Sequence, residues 1–95
     1  MSLKTIKQIL RNLMPELKEK YYITELGIFG SHVKQSNTPD SDIDILYSYN
    51  GDLGWNIVNM KKMLEDNLHA KIDLIPKKYI KQSLKEEILS TVQYI

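Results

Sequence analysis

Cysteine is absent from this chain of 95 residues, which excludes a disulfide framework and any thiolate-ligated metal site. No charge of one sign dominates either. Thirteen lysines and arginines against twelve aspartates and glutamates leave a net charge of +1, whereas a dedicated nucleic-acid module concentrates positive charge on one face. Direct nucleic-acid binding is therefore not expected. Long apolar runs are missing too: nothing approaches the roughly 20 residues of a membrane-spanning helix. Lys4, Lys7, Arg11, Glu16, Lys18, Glu19 and Lys20 deny the N-terminal segment the apolar centre of a signal peptide. There is no internal repeat and no low-complexity tract. These absences lead to the expectation of a cytoplasmic protein without membrane attachment, a single domain over residues 1–95. A domain of this size buries little more than about 60% of its unfolded surface, so its stability margin is narrow.

Helices alternate with short strands along the chain. Ile6, Ile9, Leu10, Leu13 and Leu17 recur at three- and four-residue steps between basic residues, the pattern of an amphipathic helix over residues 3–20. Pro15 should kink or restart it. Ile23–Phe29 reads as a strand ending at Gly30-Ser31, residues 35–41 as a loop containing Pro39-Asp40, and Asp42–Tyr49 as a second strand. After a turn at Asn50-Gly51-Asp52, a helix is expected from about Leu53 to Leu68, with Trp55, Ile57, Val58, Met60, Leu64 and Leu68 available for its buried side. Lys71–Ile75 forms a third strand stopped by Pro76, and Ser83 with Glu86 fits a helix-opening capping box. This alternation indicates an α/β or α+β layer, one sheet covered by helices.

Two features carry chemistry. Gly30-Ser31 closes the first strand, and after a ten-residue gap Asp42-Ile43-Asp44 opens the second. Residues two apart on a strand share a face, so the Asp42 and Asp44 carboxylates lie together while Ile43 and Ile45 point into the core. Asp73, between Ile72 and Leu74, has the same setting. Pairing of the third strand beside the second in suitable register would bring three carboxylates together. Such a cluster is tolerable only if one group stays protonated or a cation neutralises it. With hard oxygen ligands, no cysteine and no paired histidines, that cation is Mg2+ or Mn2+ rather than zinc, and two such ions can serve nucleotidyl transfer. A glycine allows a triphosphate to approach the backbone closely, and the Ser31 amide and hydroxyl can bind phosphate oxygens. Each piece alone has an ordinary structural explanation: a solvated strand edge, a turn, a surface aspartate. The joint pattern, in this order and placement, is far more specific.

The segment GIFGSHVKQSNTPDSDIDILYSY resembles the active-site segment of the minimal nucleotidyltransferase (MNT) domains in the DNA polymerase beta superfamily. Their motif is Gly-Ser, about ten residues, then Asp-x-Asp, and KIDLIPKKYIKQSLKEEILSTVQYI resembles the tail that supplies their third carboxylate. The resemblance spans nearly the whole chain. It implies a polymerase-beta-like core, a small mixed sheet with helices packed against it. It also implies roles for single residues. Asp42 and Asp44 would bind the metal ions that carry the triphosphate; Asp73 would hold the catalytic metal and help deprotonate the acceptor; Gly30 and Ser31 would cradle phosphates. Many relatives carry Arg-Gly where this chain has Lys34-Gln35. Lys34 keeps the charge for nucleotide binding but lacks the planar fork of arginine, and Gln35 replaces a glycine suited to an unusual backbone angle.

Small proteins of this family are often paired with HEPN-domain proteins as toxin–antitoxin couples, and some place AMP on a tyrosine of the HEPN partner. By that analogy the chain is expected to be an antitoxin, transferring AMP from ATP to a HEPN tyrosine. Transfer to a small molecule and a non-catalytic, partner-binding role are the alternatives. Other residues receive ordinary readings. His32 is expected as an exposed loop histidine, His69 at a helix end, Trp55 in packing, and Tyr21 and Tyr22 closing the first helix against the sheet. Tyr47, Tyr49, Tyr79 and Tyr94 form no stacking stripe by spacing, and Lys77, Lys78 and Lys81 form a local basic cluster.

Overall fold

In the computed structural model, which describes every residue of the chain except Pro39, four helices and four strands alternate. Helix α1, Leu3–Tyr21, begins where the Ser2 hydroxyl accepts from the Thr5 amide at 3.2 Å. It buries Ile6, Leu10, Leu17 and Tyr21, with Ile9 and Leu13 packed at the margin. Pro15 lies inside it without restarting it. Strand β1, Ile23–Phe29, leads through Gly30 into a single helical turn, α2, Ser31–Lys34. Strand β2 spans Ile43–Tyr49, α3 Asn56–Leu68, β3 Ile72–Pro76, α4 Gln82–Thr91 and β4 Gln93–Tyr94. A 3-10 turn, Lys77–Tyr79, joins β3 to α4.

The sheet order is β3-β2-β1-β4, with β3 parallel to β2 and the other pairs antiparallel. This is the mixed sheet with packed helices that the motif reading anticipates. A parallel neighbour requires a crossover, and α3 supplies it. Helices α1 and α3 cover one face, where Ile23, Leu26, Ile28, Ile43, Ile45, Met60, Leu64, Leu68 and Ile72 form the main core. Leu46 and Phe29 are buried outside that cluster, and Leu46 alternates with Ile45 and Tyr47 to reach the opposite face. There the end of α4 leans on β1. A side chain at Gly27 would meet the Val92 methyl at 2.6 Å, so only glycine fits beneath it.

Several expectations need correction. Helix α3 starts three residues after Leu53, because Gly51 and Gly54 take positive φ and Asp52 Oδ1 accepts from the Gly54 amide, holding the chain in a turn. Leu53 is buried in that turn, whereas Trp55 is 88% exposed and Val58 also faces solvent. The capping box does not form: α4 opens one residue before Ser83, with Lys81 as its N-cap and no side-chain cap. Tyr22 turns into the left-handed region as the C-cap of α1 and is exposed, leaving Tyr21 alone against the core. Tyr47 and Tyr49 do stack, with ring centroids 5.7 Å apart, since residues two apart on a strand share a face. The expected Pro39-Asp40 turn includes a residue outside those described.

Candidate functional site

The site is assembled at one end of the sheet by strand register. Phe29 stands opposite Asp44 across the β1–β2 pair, and Asp44 stands beside Asp73 across the parallel β2–β3 pair. Gly30, Asp44 and Asp73 thus follow one another across three neighbouring strands. Asp42 lies one residue before β2 and is exposed. A Cβ on Gly30, which holds φ +79°, would fall on the Asp44 carboxylate, so glycine is required there both for the angle and for the space.

Crowding shows in the electrostatics. Burial, then the charges of Asp73 and Asp42, push the Asp44 carboxyl up to about 6. Burial disfavours its anion, and two like charges add to the cost. Among the described residues no three carboxylate or imidazole groups already stand at the spacing of a complete metal-ligand set. The donor chemistry nevertheless fits a hard divalent cation: carboxylate oxygens converge at Asp44 and Asp73, and magnesium takes its other positions from water and phosphate.

Gly30 also begins α2. The amides of Val33 and Lys34 both turn back to the Gly30 carbonyl at 3.1 Å, and the first-turn amides before them, on Ser31 and His32, have no intrahelical acceptor. Lys34 is exposed on α2, and its ammonium donates to Glu87 of α4 at 2.9 Å. Gln35 caps α2 at φ 58°, so it adopts the left-handed angle that a glycine would take freely.

Beside Asp44 and Asp73 opens a cavity of about 400 Å³, lined also by Phe29, Ile75, Tyr79, Lys81, Leu84 and Ile88. A smaller one of about 220 Å³ adjoins Gly30 and Lys34 beneath Glu87 and Ile88. The contributions of the 3-10 turn and α4 were not legible in the chain, because α4 buries no residue completely and shows only a weak apolar stripe. His32 departs from expectation: it is only 8% exposed, its Nδ1 has no hydrogen-bond partner, and burial lowers its pKa. Helix α2 turns its ring inward to a cavity shared with Thr38, Ser41 and His69. His69 is the C-cap of α3, as anticipated.

A family model described as the nucleotidyltransferase domain matches residues 10–95. The chain belongs to the nucleotidyltransferase domain family. This nucleotidyltransferase is 38% identical over 93% of its length to "Putative protein adenylyltransferase MJ0126" of Methanocaldococcus jannaschii, covering 96% of that protein. It is 30% identical to the protein adenylyltransferase MntA of Thermococcus cleftensis, over 100% of this chain and 97% of the other. Among solved structures, a "putative minimal nucleotidyltransferase" superposes with a TM-score of 0.79 at 23% identity, over 98% of this chain and 95% of that one. The complex of a tri-AMPylated Shewanella oneidensis HEPN toxin with its MNT antitoxin contains a chain matching at a TM-score of 0.67 and 15% identity, over 94% of this nucleotidyltransferase and 70% of the other. At those identities the structural likeness concerns the fold.

Proposed function

We propose that this nucleotidyltransferase is a protein adenylyltransferase of a toxin–antitoxin pair, moving AMP from ATP to a tyrosine hydroxyl of a HEPN-domain partner, and that residues 1–95 act as one domain. The observation carrying this reading is the parallel register that sets Asp44 beside Asp73, one strand away from Gly30. The relatives named as protein adenylyltransferases support the acceptor class.

In this reading Gly30 and Ser31 receive the triphosphate against the backbone, and Lys34 exchanges Glu87 for a phosphate oxygen. Asp42, Asp44 and Asp73 hold two divalent cations, Mg2+ or Mn2+, which when bound supply neutralisation of the phosphate charge. Asp73 accepts the proton of the incoming hydroxyl as its oxygen bonds to the α-phosphorus, and pyrophosphate departs on the Gly30 side. The apolar wall of the larger cavity excludes water from that event.

Thermal unfolding with and without ATP and magnesium tests the site. A ligand bound only by the folded state at a hundredfold excess over Kd adds about 2.7 kcal/mol, a shift of several degrees for a small domain. The shift is expected in the wild type and absent in Asp42→Ala/Asp44→Ala. Mass spectrometry of a HEPN partner incubated with the wild type then reports the acceptor. An unmodified partner, despite bound ATP, rejects the protein-acceptor reading.

A further inference from the structure

We infer that Tyr79 is an acceptor within the chain itself, so that the enzyme adenylylates its own Tyr79 hydroxyl; this rests on the adenylyltransferase reading above. The chain has six tyrosines, and Tyr79 is the one that lines the cavity containing both Asp44 and Asp73. It is 68% exposed, so its hydroxyl is free to swing within that opening. Tyr21 and Tyr47 are buried, and Tyr49 packs against the core beside Tyr47. Tyr22 lies beyond the far end of β1, seven residues before Phe29 and hence roughly 20 Å from the carboxylates. Tyr94 is on β4, opposite Gly27 and across β1 from β2.

After β3 the 3-10 turn folds back over the sheet, where Lys77 reaches Glu25 of β1 and Lys78 lies over the Tyr49 ring of β2. Gly30 at the end of β1 marks the phosphate side, Asp44 on β2 and Asp73 on β3 follow it across the sheet, and Tyr79 in the 3-10 turn lines the cavity that opens on both carboxylates. An attacking oxygen and a leaving pyrophosphate must lie on opposite sides of the α-phosphorus, so the reaction requires the Tyr79 side chain to enter that cavity opposite Gly30. Lys78 holds its ammonium 5.1 Å from the Tyr79 ring centroid and 4.7 Å from that of Tyr49, and Lys81 lines the same cavity. The step balances with a nucleoside triphosphate as the sole co-reactant. The Tyr79 oxygen bonds to the α-phosphorus, the bond to the bridging oxygen breaks, pyrophosphate leaves, and the phenolic proton passes to Asp73. The product carries a nucleotide at the mouth of its own site, which closes it to further acceptors.

The test is intact-mass analysis of the full chain incubated with ATP and magnesium and no partner, followed by peptide mapping. One AMP adduct at Tyr79 is expected, formed at a rate per molecule independent of protein concentration. It should vanish in Tyr79→Phe and Asp44→Asn and persist in Tyr22→Phe and Tyr94→Phe. Circular dichroism checks that each variant is folded. An adduct on another residue, one that survives in Tyr79→Phe, or a rate that grows with protein concentration overturns the proposal. No adduct from a chain that still shows the ATP-dependent thermal shift overturns self-modification alone. Loss of both the adduct and the shift overturns the adenylyltransferase reading with it.

Discussion

Asp44 shows at the scale of one residue how crowded carboxylates oppose stability. Its carboxyl is held at about 6 by burial and by Asp73 and Asp42, well above the roughly 4 of an unfolded aspartate. The folded state therefore binds the proton more tightly than the unfolded one. Its stability falls as pH rises from about 4 to about 6, and above that window the full cost of the ionised form is present. Asp44→Asn removes the charge with little change of shape. At pH 7.5 it should stabilise the metal-free protein by an amount on the order of 1 kcal/mol, allowing for partial solvent screening. Urea unfolding at several pH values measures this. The advantage should shrink to nothing near pH 4, and a variant less stable than wild type at pH 7.5 contradicts the account. His32 acts with the opposite sign of titration. Its lowered pKa means that burial favours the neutral ring, so stability present above the unfolded value of about 6.5 is lost as pH falls below that value and through the lower folded one.

Helix ends carry a second reserve of strain. Helices α1, α2 and α3 all stop at a left-handed residue that is not glycine: Tyr22, Gln35 and His69, at φ 55°, 58° and 52°. The angle ends a helix efficiently because it lets the cap amide reach back to a late carbonyl, as the Tyr22 amide does to Leu17 and the Gln35 amide to Ser31. A side chain at that angle costs about 1 kcal/mol, which glycine avoids at some expense in unfolded-chain entropy. Gln35 is exposed, so Gln35→Gly should stabilise the fold by roughly 0.5–1 kcal/mol. Chemical denaturation measures the change, and destabilisation would show that the Gln35 side chain has a structural role at the end of α2.

For the whole molecule, one core layer between the sheet and the α1–α3 pair carries most of the stability. Leu64 is fully buried at its centre, between Met60 and Leu68 on the inward side of α3. Leu64→Ala should cost about 2–5 kcal/mol, a large share of the roughly 5–14 kcal/mol expected for a chain of this length. The urea midpoint should fall accordingly. Excess ATP with magnesium should recover part of the loss, since a ligand bound only by the folded state acts by mass action. A cost below 1 kcal/mol would mean that the core repacks freely around α3.

The Gly-Ser and Asp-x-Asp motifs, the α1 stripe and the three longer strands were legible in the chain because each depends on local periodicity or spacing. Chemistry at Asp42 and Asp44 could be suspected from two-residue alternation alone. Tertiary structure decided what depends on partners distant in sequence. The register that sets Asp44 beside Asp73 needs α3 to carry the chain back in parallel, and no local pattern specifies that offset. Burial of His32 follows from packing behind the Gly30-Ser31 turn, and exposure of Trp55 from the glycine-rich turn before α3. The two-residue strand β4, the Lys34–Glu87 pair and the cavity that Tyr79 shares with the carboxylates arise only once the tail folds back over β1. Local preference sets which residues can share a face; long-range pairing and burial set which of them meet.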